Sequence, residues 1–100
     1  MYARMTTMSF LTEKADEGVR IFETSVVPAA RSQQGFHAAY LLADRASGRA
    51  VALTLWDDEA AAVANEENRY YQEQLVKFLP LFTSDPFREG FEVEVLVEAE

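Results

Sequence analysis

The chain contains no cysteine, which removes disulfides, thiolate metal sites and cysteine nucleophiles together. Its one histidine, His37, is too few for a histidine-rich metal site within a single chain. Basic residues are scarce: nine Lys and Arg face 17 Asp and Glu, for a net charge of -8. Nucleic-acid and anionic-membrane partners would have to overcome that repulsion, and no basic patch is visible along the sequence. No apolar run approaches the roughly 18 residues a membrane-spanning helix needs, and the N-terminus lacks the basic-then-apolar order of a signal peptide. A cytoplasmic protein with neither a membrane nor a nucleic-acid partner is the expectation. Internal repeats, linkers and low-complexity stretches are also lacking.

Apolar residues make up 49% of the 100 residues and charged residues 26%, the balance of one folded domain spanning 1–100. Tyr2 to Phe10 (YARMTTMSF) reads as a strand, rich in Thr and aromatics. Thr12 is positioned to cap a helix, with Glu13 and Asp16 in its first turn. Val19, Phe22, Val26 and Ala30 follow at helical spacing. Gly18 weakens that helix, Pro28 predicts a kink or an end, and Gln34-Gly35 closes the segment. Phe36 to Leu42 is a second strand, joined through the polar link Asp44 to Gly48 to an antiparallel third, Arg49 to Trp56.

Asp57 is placed to cap a long second helix, whose buried stripe is expected at Ala60, Val63, Ala64, Tyr71, Leu75, Phe78 and Phe82. Thr83 to Gly90 (TSDPFREG) reads as a loop. Phe91, Val93, Val95 and Val97 alternate with Glu92, Glu94, Leu96 and Glu98 in a final strand. The order β-α-β-β-α-β predicts an α+β, ferredoxin-like chain with both helices on one face of an antiparallel sheet.

Strands two and three, however, are apolar on both faces, and two helices cover only one. At about 25 cal/mol per Å² of apolar area, leaving the other face wet would forfeit several kcal/mol. A second copy laid sheet against sheet, a two-fold homodimer, is the economical cover. Strand three also divides by size, with Val51, Leu53 and Leu55 bulky and Ala50, Ala52 and Thr54 small. We expect the bulky side against the helices, and the small side, with Trp56 at its rim, to border a hollow between sheets. The opposite phase, with Trp56 turned to the helices, stays open because strand ends often bulge.

The element order, "GFHAAYLLAD" after the first helix and "LTLWDDEAAAVAN" from strand to helix resemble the antibiotic biosynthesis monooxygenase family of dimeric α/β barrels. The resemblance covers nearly the whole chain. It implies a homodimer whose sheets face each other around a small-molecule cavity. It also implies a choice of activities: cofactor-independent monooxygenases of polyphenols and quinols, haem-degrading enzymes, and proteins of no known activity. In the monooxygenases the substrate itself supplies electrons, so no cofactor is expected. The protein's work is to bind a phenol, favour its anion and hold oxygen in a dry pocket.

On that resemblance Trp56 is a candidate pocket wall, and the competing reading is a structural seal at the strand-helix corner. His37 is the candidate base, since imidazole titrates near neutrality. As a lone histidine on a strand it has a purely structural reading as well. Arg4, Thr54, Asn68 and Tyr71 are the candidate ligand contacts. Arg4 would steady an oxyanion, while Tyr71 is equally a core residue. Relatives with quinol or haem chemistry often carry a histidine on the second helix, about nine or ten residues beyond the Trp. Here that stretch reads Ala64, Asn65, Glu66, so haem ligation by this route is not expected and quinol oxidation lacks its usual acid-base partner. A small aromatic or quinone-like compound is the expected ligand of a monooxygenase. A non-catalytic dimeric barrel that binds a hydrophobic ligand or serves in assembly is the alternative, and an isomerase or decarboxylase of a small lactone or keto acid a third.

Overall fold

The computed structural model describes residues 1–99. Four strands form one antiparallel sheet: β1 (Tyr2–Ser9), β2 (Phe36–Asp44), β3 (Arg49–Trp56) and β4 (Phe87–Glu92), in the order β2-β3-β1-β4. Between β1 and β2 run α1 (Ala15–Ile21) and α2 (Val27–Arg31); between β3 and β4 run α3 (Glu59–Glu67) and α4 (Tyr70–Val76). The helices pack on a single face, giving the expected α+β ferredoxin-like arrangement.

Pro28 explains the join between α1 and α2. It has no N–H to give the carbonyl of Thr24, and its ring would strike that carbonyl in a regular helix. The chain widens into a π turn over Phe22–Val26, with the Val27 N–H bonded to the Phe22 carbonyl. The helix therefore continues rather than kinking. Its buried face is Ala15, Gly18, Phe22, Val26 and Ala30. Thr12 lies in a short 3-10 turn and caps nothing. Gly35, at φ 85, ends the segment in the left-handed region that favours glycine.

The cap of α3 is Asp58, whose side chain accepts the Ala61 N–H at 2.8 Å, one residue beyond the expected Asp57. The second helix is not continuous. Arg69 has φ 72 and breaks it, and the Asn68 side chain accepts the Tyr70 N–H at 3.0 Å to start α4. The buried face of α3 is accordingly Ala62 and Asn65, while Ala60 and Ala64 are exposed. Phe78 is buried as expected.

The sheet's phase reverses the expectation for β3. Pairing sets Tyr2, Arg4, Thr6 and Met8 opposite Trp56, Thr54, Ala52 and Ala50, and this even-numbered set faces the helices. The reason is volume. Phe10, Phe22, Phe78, Trp56 and Tyr70 crowd that space in two clusters, so the strand residues beneath them must be small. Val51, Leu53 and Leu55 take the outer face with Met5, Tyr40 and Leu42. That face is largely apolar and wet in a single chain: Tyr40 is 50%, Leu42 57% and Phe87 61% exposed.

The last strand also begins earlier than the alternating valines suggest. Phe87–Glu92 pairs with β1, setting Thr6 opposite Arg88 and Arg4 opposite Gly90. Val93 donates to the Met1 carbonyl at 2.9 Å, and Val95 and Val97 stand exposed beyond the pairing.

Candidate functional site

One hollow among the described residues lies between the chain's own sheet and its own helices. It is a half-open, mostly apolar cavity of about 70 Å³. Met8, Phe22, Val26 and Phe78 come from one core cluster and Trp56 and Tyr70 from the other, so the cavity marks their seam. Its floor is the small-residue stripe Thr6, Ala52 and Thr54.

Trp56 is 1% exposed, meets the Phe36 ring edge-on at 5.6 Å and the Tyr70 ring at 6.5 Å. Its indole N–H donates to Thr54 Oγ1 at 2.9 Å. The Thr54 hydroxyl is thereby an acceptor for Trp56 and keeps its own proton for a second partner. Burial pushes the Tyr70 phenol up to about 12, so it is a neutral hydrogen-bonding group and not a base at neutral pH. Asn65 gives its amide to the carbonyl of Ala62.

One end of the cavity is charged. Arg4 of β1 and Arg88 of β4 converge on Glu66 of α3, with Arg4 Nη2 2.6 Å from Oε1 and Arg88 Nη2 3.2 Å from Oε2. The Arg4–Glu66 contact is an ion pair without hydrogen-bond alignment, because Glu66 Oε1 has no aligned donor among the described residues. Arg88 lies over the Tyr71 ring at 4.1 Å and Arg4 over the Tyr2 ring at 5.4 Å. Gly90 makes the second arrangement possible: a Cβ there would sit 2.5 Å from Arg4 Nη1 and closer still to the Tyr2 hydroxyl.

Of the six residues singled out in the sequence, Arg4, Thr54, Trp56 and Tyr71 line this cavity. Asn68 does not: its amide nitrogen donates to Gln33 Oε1 at 2.8 Å and its oxygen caps α4. His37 is also outside. It is the extra residue of a bulge between Phe36 and Ala38, and its Nε2 contacts the Asp57 carboxylate at an exposed corner. Glu66, Arg88 and Asn65 escaped notice as site residues. Among the described residues no cluster of His, Cys, Asp or Glu is arranged to hold a metal ion, and no helix is long and apolar enough to cross a membrane.

The sequence profile for antibiotic biosynthesis monooxygenases matches residues 1–74. The chain belongs to that family. Two uncharacterized proteins from strains of Mycobacterium tuberculosis, MT2634 and Rv2557, are each 36% identical to it over 67 residues. The match takes in 67% of this chain but 30% of theirs, so the chain spans under a third of those relatives. Among solved structures, a Deinococcus radiodurans protein assigned to the same family superposes with a TM-score of 0.80 at 16% identity, covering 100% of this chain and 99% of its own. The Streptomyces coelicolor monooxygenase ActVA-Orf6, solved with Nanaomycin D, gives 0.76 at 17% identity, covering 99% and 92%. At such identities the likeness is one of fold, and family folds host more than one activity.

Proposed function

We propose that the protein is a cofactor-independent monooxygenase of a small, single-ring phenol or hydroquinone, working as a homodimer. The observation that carries this reading is the aromatic-walled cavity with one charged end, in a chain of the monooxygenase family. An apolar enclosure holds both an aromatic ring and dioxygen, and the few polar groups fix orientation. The Thr54 hydroxyl keeps its proton to donate to the phenolic oxygen, which favours the phenolate.

The reaction balances without a cofactor. A phenol with an open ring position and one O₂ give a quinone and one water, the ring supplying the electrons that reduce the second oxygen atom. Neither metal nor flavin enters that balance.

Size limits the substrate. About 70 Å³ is less than the roughly 150 Å³ that a benzene-binding cavity provides. The substrate is therefore limited to a single ring, which enters as side chains of the wall give way.

Homodimerisation follows from the outer face. Tyr40, Leu42, Phe87 and Phe91 leave a wide apolar surface uncovered in one chain, and a second copy buries it on itself about a two-fold axis. Oxygen consumption with a panel of monocyclic phenols and hydroquinones, with and without a ring carboxylate, tests the activity: uptake that falls at least tenfold in Trp56→Phe supports it, and no uptake with any member defeats it. One observation favours the competing reading of a non-catalytic ligand-binding barrel, namely that the single imidazole of the chain lies outside the cavity. Saturable binding without oxygen uptake would establish it.

A further inference from the structure

We infer that the charged end of the cavity is a carboxylate receptor, so that the ligand is an aromatic acid rather than a neutral phenol. This rests on the cavity being the substrate site, as proposed above, and adds the chemical class of what enters it.

Two guanidiniums face one carboxylate, leaving a local charge of plus one inside a chain whose net charge is -8. The excess of one guanidinium over the carboxylate at this end leaves an attractive position for an anion. Three buried atoms of this triad have no hydrogen-bond partner among the described residues, the donors Arg4 Nε and Arg88 Nη1 and the acceptor Glu66 Oε1, so donors exceed acceptors by one. A buried donor left unpaired is destabilising, and hydrogen bonds to charged acceptors are the stronger ones. Both arginines line the cavity, so an acceptor that enters it can reach this charged end.

The two arginines are also held in advance. Arg88 is stacked on Tyr71, and Arg4 lies between the Tyr2 ring and the space that Gly90 leaves open. Rigid forks lose little side-chain freedom on binding. The net charge of plus one matches a monoanion, and a planar carboxylate fits guanidinium forks. A phosphate dianion would overcompensate and would need more room. The aromatic remainder of the ligand then lies along the apolar wall toward Trp56.

The test uses the purified full chain and two probes that differ only in the acid group, 4-hydroxybenzoate and 4-hydroxybenzamide. Quenching of Trp56, the sole tryptophan, reports binding, with calorimetry as a second readout. The benzoate should bind at least tenfold more tightly. That ratio should collapse toward one in Arg88→Gln and in Arg4→Gln. It should widen several-fold in Glu66→Gln, which removes the internal competitor, and this arm stands even if an arginine variant does not fold. Equal affinities for the two probes in the unaltered protein overturn the inference and leave the cavity reading in place. Failure of both probes to bind overturns the cavity reading itself.

Discussion

Replacing Gly90 with alanine probes the one backbone position on which the charged end of the cavity depends. The new Cβ would lie 2.5 Å from Arg4 Nη1, whereas ordinary contact begins near 3.4 Å, so the guanidinium must retreat by about 1 Å. Its partner contact, Nη2 to Glu66 Oε1 at 2.6 Å, then lengthens to roughly 3.6 Å. With an effective dielectric near 20 that weakens the pair by at most about 2 kcal/mol, less where solvent reaches the partly exposed groups. Displacing the buried Tyr2 hydroxyl adds an overpacking cost of about 1–3 kcal/mol. Partial relaxation of both long side chains argues for the lower part of that combined range, about 2 kcal/mol. For a domain of this size, each kcal/mol lowers Tm by roughly 4–8 °C. Melting curves should be taken at one protein concentration, since self-association shifts Tm. Gly90→Ala should therefore melt about 8–16 °C lower and show a reduced preference for the benzoate probe. A variant that melts within a degree of the parent with its acid preference intact would show that the close approach of Arg4 to β4 is not what holds the guanidinium in place.

Four further outcomes follow from the same geometry. Trp56→Ala removes the most buried large side chain and should cost about 3–5 kcal/mol in urea or thermal unfolding. Tyr70 should make stability fall at high pH: its folded value of about 12 lies above the unfolded value near 10. The contribution is full below pH 10 and is lost as pH rises through 12, about 2–3 kcal/mol in all. Tyr70→Phe should abolish that alkaline component of the unfolding curve. His37→Ala, outside the cavity and exposed, should leave any oxygen uptake within twofold, and a hundredfold loss would restore the histidine as a base. Leu42→Glu, on the wet outer face, should convert a dimer to a monomer in sedimentation at micromolar concentration, while the affinity of the cavity for its probe persists.

The element order, the antiparallel hairpin and the single sheet were legible because hydrophobic period and turn residues agree in those segments. The face of β3 was not. Bulk alone suggested that Val51, Leu53 and Leu55 belong in the core, but core volume is shared, and Phe22, Phe78 and Tyr70 had already claimed it. Arg88 was hidden by its neighbours: Pro86 and Gly90 mark a loop in sequence, while in the fold Pro86 only precedes the strand and Gly90 serves Arg4. The alternation of Val93, Val95 and Val97 is the stronger strand signal, yet it lies beyond the residues that pair with β1. Glu66 and Asn65 were missed because helical spacing was carried across Arg69, where the helix breaks, shifting the inferred buried face onto Ala60 and Ala64.

The corrected phase of the sheet changes what dimerisation means for function. Had the small residues of β3 faced a second copy, the pocket would exist only in the assembly, and loss of the dimer would erase it. Because Thr6, Ala52 and Thr54 instead lie beneath the chain's own helices, the cavity and the proposed dimer interface are back to back on one sheet. Each demands different residues: small ones where helices and a ligand share space, bulky ones where two sheets must meet without voids. Alternation along β3 meets both demands at once, since Ala52 and Thr54 turn inward while Val51 and Leu53 turn outward. The coupling left between the two faces is mechanical. Pairing with a copy would stiffen the strands that carry Arg4 and Arg88, so the dimer's contribution should appear as a sharper discrimination between acid and amide probes rather than as the presence or absence of binding.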